Sequence, residues 1–109
     1  MIGYNENEGS HIYYVYIITN LYRSTYYIGI TNNLVERLKQ HQDNIEKGHK
    51  TFAAKYNLKH LVYYEQYSWV QNAIAREKEL KAWRREKKLD LVRSFNADFE
   101  FLEDRFLKE

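Results

Sequence analysis

Two runs of β-branched and aromatic residues stand close together early in the chain: residues 12–19 (Ile-Tyr-Tyr-Val-Tyr-Ile-Ile-Thr) and 26–30 (Tyr-Tyr-Ile-Gly-Ile). Such runs read as strands. Residues 20–25 between them are polar apart from Leu21 and Tyr22. Strands this close pair as an antiparallel hairpin. Thr31, Asn32 and Asn33 then offer N-caps. Residues 34–46 carry Leu34, Leu38 and Ile45 on one stripe and predict an amphipathic helix, ended by Gly48 in the segment 47–50. Residues 52–56 fit neither period. Residues 61–67 read as a third strand. Ser68 is expected to cap a helix from 69 to about 83, residues 84–94 to form another, and Asn96 and Asp98 to break it. Residues 99–107 are expected to form a short terminal helix. The order β-β-α-β-α-α predicts an α+β fold, a small three-stranded antiparallel sheet flanked by helices.

The chain has 109 residues, enough apolar material for one core. Residues 1–11 are polar and without period, so they read as a flexible tail. Residues 12–99 read as the domain, and 100–109 as a C-terminal extension. The absence of cysteine excludes disulfides, Cys-based zinc sites and thiol nucleophiles. With no proline either, Gly, Asn, Ser and Asp must end the elements. No run approaches the length of about 18 apolar residues that a membrane helix needs, and the N-terminus lacks the pattern of a secretory signal. A cytoplasmic protein is expected.

Charge is uneven. Residues 1–36 hold one basic and three acidic residues, net −2; residues 37–93 hold fourteen and seven, net +7; residues 94–109 hold two and five, net −3. The central block suits a polyanion such as a nucleic acid, or is a solvated helical surface. Within it Lys81, Arg84, Arg85, Lys87 and Lys88 are the candidate DNA contacts. Tyrosine is abundant, 11 residues against 5 Phe and 2 Trp, and can pack, stack on a base or react.

Strand alternation places Tyr14, Tyr16 and Ile18 on one face and Tyr13, Val15, Ile17 and Thr19 on the other. Tyr27 and Gly29 share a face, so the hairpin can set Tyr16 beside Tyr27. Gly29 then leaves a gap where a ligand or backbone can approach, or it marks a bulge. On the first helix, steps of about 100° per residue put His41 inside the buried stripe and Arg37 at its edge. The two are one turn apart. Arg37 fits a fixed charge in a cleft, or a snorkelling side chain. On the helix from 69, the same steps of about 100° place Glu77 amid Ala73, Val70, Ile74 and Leu80. A buried carboxylate needs a partner. Lys81 is one; a Mg²⁺ completed by water and substrate oxygens is the other.

Together these residues resemble the GIY-YIG nuclease superfamily, and within it small proteins close to the nuclease domain of the excision-repair subunit UvrC. Tyr27-Ile28-Gly29 matches the second signature. Tyr14-Val15-Tyr16 stands where the first has Gly-Ile-Tyr and keeps the functional tyrosine. Arg37 and His41 match the arginine and histidine of the first helix, and residues 73–81 with Glu77 match the metal-binding helix. Asn96 matches a structural Asn, with Ala97 in place of the Pro that often follows.

The resemblance implies hydrolysis of DNA phosphodiester bonds with Mg²⁺ (or Mn²⁺). Tyr16 would act as general base, with His41 in contact with its phenol. Arg37 would bind phosphate, Tyr27 would orient water or phosphate, and Glu77 would hold the metal. Gly29 and Asn96 would shape the site. Relatives take specificity from an attached domain or a partner. Tails of 11 and about 10 residues leave no room for such a domain, so specificity is expected from DNA structure, as in branches, flaps or nicks of the kind repair enzymes meet, or from a protein partner. A catalytically silent nucleic-acid-binding module and a protein adaptor of the same fold are the alternatives.

Overall fold

A computed structural model describes residues 12–107; the expected tail, residues 1–11, lies outside the described residues. Strands β1 (Tyr13–Thr19), β2 (Tyr26–Thr31) and β3 (His60–Tyr67) form one antiparallel sheet in the order β2-β1-β3. Helices α1 (Leu34–Glu46), α2 (Phe52–Lys55), α3 (Val70–Ala82), α4 (Arg85–Phe95) and α5 (Asp104–Leu107) surround it. The α+β architecture expected from the sequence is the one observed. Among the described residues no helix is long and apolar enough to cross a membrane.

The alternation along β1 separates two cores. Val15 and Ile17 meet Ile28, Val62, Ala73, Leu80 and Val92, so α3 and α4 cover that face. Tyr16 and Ile18 meet Leu34, Leu38, Ala53, Leu58, Leu61 and Leu102 beneath α1, α2 and the C-terminal segment. Both faces are dry, which is why the central strand reads as an almost unbroken apolar run. Helix α1 starts where expected because the Asn33 side chain accepts a hydrogen bond from the Glu36 N–H at 3.0 Å.

Three local expectations are corrected. Ser68 does not cap α3; Trp69 holds the N-cap position and makes no side-chain capping bond. The unassigned segment 52–56 contains α2, started by Thr51, whose hydroxyl accepts from the Ala54 N–H at 3.3 Å. The terminal helix is confined to Asp104–Leu107. Ahead of it Phe99 adopts a left-handed backbone, φ 50°, and the chain runs back over the sheet. There the Leu102 N–H donates to the Leu61 carbonyl at 2.7 Å, and the Glu103 carboxylate takes the Leu61 N–H at 2.9 Å and His60 Nδ1 at 2.6 Å.

Candidate active site

The site begins with strand register. Tyr16 on β1 lies opposite Gly29 on β2, and its ring crosses directly over that glycine. A Cβ at position 29 would sit 2.5 Å from the phenol oxygen and 2.6 Å from Cζ. The gap expected at Gly29 is therefore taken by Tyr16 itself, which corrects the idea that a ligand enters there. Gly29→Ala should push the ring aside, at a cost of about 1–3 kcal/mol typical of overpacking, and lower any activity that depends on the phenol. Thermal melting of this variant checks the first part.

Under that constraint the fully buried Tyr16 phenol reaches α1. Its oxygen is 2.9 Å from His41 Nε2 and accepts a hydrogen bond from Arg37 Nε at 3.2 Å. The rings of Tyr16, Tyr27 and His41 form a triangle with centroids 6.3, 5.9 and 5.7 Å apart. Arg37 is steadied by Gln40, whose Oε1 accepts from one terminal guanidinium nitrogen at 2.8 Å.

Burial pushes the Tyr16 phenol up to about 12, against the lowering pull of Arg37. His41 is pushed down to about 4 by burial first and by the Arg37 charge second. Both groups are therefore neutral at pH 7. With Arg37 donating to the phenol oxygen, the phenol proton is available to Nε2 of a neutral His41.

A depressed histidine also ties stability to pH. The unfolded chain binds the proton near pH 6.5 and the folded chain only near 4, so stability present above pH 6.5 is lost as pH falls through that window. The loss should reach roughly 3 kcal/mol for a shift of this size, and His41→Gln should remove most of it. Urea unfolding at pH 7 and pH 4 checks this.

An open cleft of about 150 Å³ lies beside these groups, lined by Tyr27, Arg37, His41, Asn44, Thr51, Phe52 and Ala53. A buried neutral phenol, a guanidinium held by Gln40 and a neutral imidazole thus stand together, with Arg37 and His41 also lining the cleft. The sequence over residues 12–90 matches the family model described as the GIY-YIG catalytic domain. The chain belongs to this family. A solution NMR structure of a UPF0213 protein from Bacillus halodurans is similar, with 27% identity, a TM-score of 0.52, and coverage of 85% of this chain and 95% of that one. No curated protein matches the sequence.

The GIY-YIG signatures thus fall on adjacent strands, Tyr14-Val15-Tyr16 on β1 and Tyr27-Ile28-Gly29 on β2. Glu77 stands on α3 at the rim of the core. Its side chain is 17% exposed and pairs with the 51% exposed Lys81 at 3.3 Å. Its negative charge is one of the influences that raise the Tyr16 phenol. Among the described residues no group of three or more His, Cys, Asp or Glu converges to hold a metal. A lone, partly open carboxylate with an exchangeable lysine partner fits Mg²⁺, which accepts one protein oxygen and fills its other positions from water and phosphate.

Asn96 is buried at the C-terminal end of α4. It donates to the Val62 carbonyl at 3.0 Å and the Glu100 carbonyl at 2.9 Å, and accepts from the Glu100 N–H at 3.0 Å. It ties the end of α4 to β3. The basic candidates are scattered. Arg84 is exposed at the start of α4. Arg85 donates to the Ser24 carbonyl at 3.0 Å, and the Lys87 ammonium sits 4.1 Å from the Trp83 ring centroid. Arg85 and Lys88 line a second cavity of about 290 Å³ with Ile17, Tyr26, Ile28 and Phe52.

Sequence reasoning missed Asn44 and Phe52. Asn44 had a signal: it lies seven residues after Arg37 and three after His41, on the same side of α1. Phe52 had none, because its place depends on how the segment after α1 folds back.

Proposed function

We propose that this protein is a Mg²⁺-dependent (or Mn²⁺-dependent) endonuclease that hydrolyses DNA phosphodiester bonds. It would act in the cytoplasm on structured DNA of the kind met in repair, or with a partner protein supplying specificity. The observation that carries this reading is the buried Tyr16 oxygen held between Arg37 Nε at 3.2 Å and His41 Nε2 at 2.9 Å. A tyrosine that merely fills a core would be satisfied by one such bond.

In this reading Tyr16, as phenolate, takes the proton of a water that attacks phosphorus in line with the leaving 3′-oxygen. A phenol near 12 is ionised in only about one molecule in 10⁵ at pH 7. Ionisation therefore depends on positive charge gathered around it, of which Arg37 is the built-in part. His41 accepts the phenol O–H and fixes the ring before ionisation. Arg37, at the wall of the cleft, binds the phosphate and offsets charge as it develops. Tyr27 orients water or phosphate. Glu77 would hold Mg²⁺, whose charge when bound offsets that building on the phosphate and the leaving oxygen.

Incubation with supercoiled plasmid and a panel of branched, flapped and linear DNAs, in Mg²⁺ and in EDTA, tests the proposal. Cleavage in Mg²⁺ alone is expected. Salt-sensitive DNA binding without cleavage of any substrate would favour the silent binding module instead.

A further inference from the structure

The short helix α2 exposes an aromatic pair at the edge of the catalytic cleft. Ala53 and Ala54 turn inward and are buried, so the two flanking rings face solvent: Phe52 is 52% exposed and Tyr56 42%. Their centroids are 4.9 Å apart and tilted by 53°. Single exposed apolar residues are ordinary, but this pair has two further properties. Residues 47–60 contain four lysines, Lys47, Lys50, Lys55 and Lys59, and no acidic residue. All four are exposed, and the Lys55 ammonium lies 5.5 Å from the Tyr56 ring centroid. Phe52 also walls both the cleft of Tyr27, Arg37 and His41 and the larger cavity that holds Arg85 and Lys88. Phe52 is thus common to the walls of both.

We infer that Phe52 and Tyr56 form a stacking platform for unpaired DNA bases next to the scissile phosphate. The surrounding lysines, foremost Lys50 and Lys55, meet the backbone of that strand. Exposed rings on a segment that carries lysines and no acid suit a single strand, since its bases offer free π-faces and its phosphates offer charge. A duplex hides those base faces and would use only the lysines. The platform rests on the nuclease reading for its place beside a reacting phosphate, and it selects DNA with a single-stranded segment, as in a flap or a frayed branch.

Equilibrium binding in EDTA tests the platform without requiring cleavage. The probes are a fluorescein-labelled oligothymidylate and a duplex of equal phosphate number. Phe52→Ala and Tyr56→Ala should each weaken oligothymidylate binding by about 5- to 150-fold, the range for loss of one stacked base. Duplex binding should be unchanged, and Phe52→Trp should retain single-strand affinity. Lys50→Gln and Lys55→Gln should each flatten the single-strand salt dependence by about 0.7 in log–log slope. Unchanged affinity in both alanine variants, equal losses for both probes, or no binding of oligothymidylate by the wild type would overturn the platform. Mg²⁺-dependent plasmid cleavage, measured beside it, would persist in each case if the nuclease reading alone is right.

Discussion

Glu77→Gln should abolish Mg²⁺-dependent cleavage while the protein stays folded. The side chain keeps its size and loses the charge that would hold a divalent cation, and among the described residues no cluster of acids or histidines stands by to replace it. The structural cost should be small. The pair with Lys81 is partly solvated, 17% and 51% exposed on the two sides, and such pairs contribute about 0–1 kcal/mol. The expected change in melting temperature is therefore less than roughly 8 °C. Cleavage and melting are measured on the same preparation. Undiminished cleavage at saturating Mg²⁺ would remove the metal role, and a large fall in melting temperature with cleavage kept would leave Glu77 as half of an ion pair.

Tyr16→Phe should lower the cleavage rate by about 10²–10⁴-fold, the range for loss of a general base, with DNA binding kept. The ring and its packing over Gly29 remain, so a purely structural tyrosine would show no such fall. Some stability should also go, about 1 kcal/mol, because Arg37 Nε and His41 Nε2 lose their shared partner. Tyr27→Phe should cost less in rate, since water can take over one orienting hydrogen bond. Single-turnover rates, nitrocellulose binding and urea unfolding of the two variants separate these effects.

The parts legible in the sequence are those fixed by short-range periodicity. The two faces of β1 and the inward placing of His41 on α1 follow from periods of about 2 and 3.6 residues, and the structure has both. The parts that were not legible depend on distant segments. The fate of Gly29 hangs on its register opposite Tyr16, and no local pattern says whether a gap is left open or filled from across the sheet. For α3 a helical wheel gives the angles between residues but not which side meets the core. Ala73 and Leu80 are the buried pair, while Val70 and Ile74 remain 37% and 39% exposed. The core side is therefore narrower than the apolar arc suggests, and Glu77 stands at its margin instead of its centre. Residues 99–107 read as one helix, and only Asp104–Leu107 is helical. The backbone ahead of that helix is instead drawn onto Leu61 by hydrogen bonds that a single-segment reading cannot foresee.

The most direct test of the central claim, that the Tyr16 phenol drives phosphodiester cleavage, is the single-turnover rate of wild type and Tyr16→Phe across about pH 6.5–9.5 at fixed Mg²⁺. That window lies below the phenol's ionisation near 12 and above that of His41 near 4. The wild-type rate should rise about tenfold per pH unit wherever the phenol remains mostly protonated, and flatten if the positive charge of bound Mg²⁺ draws its ionisation into the window. Tyr16→Phe should be slow and should lack that rise. Equal rates for the two proteins, with the same dependence on pH, would contradict the claim.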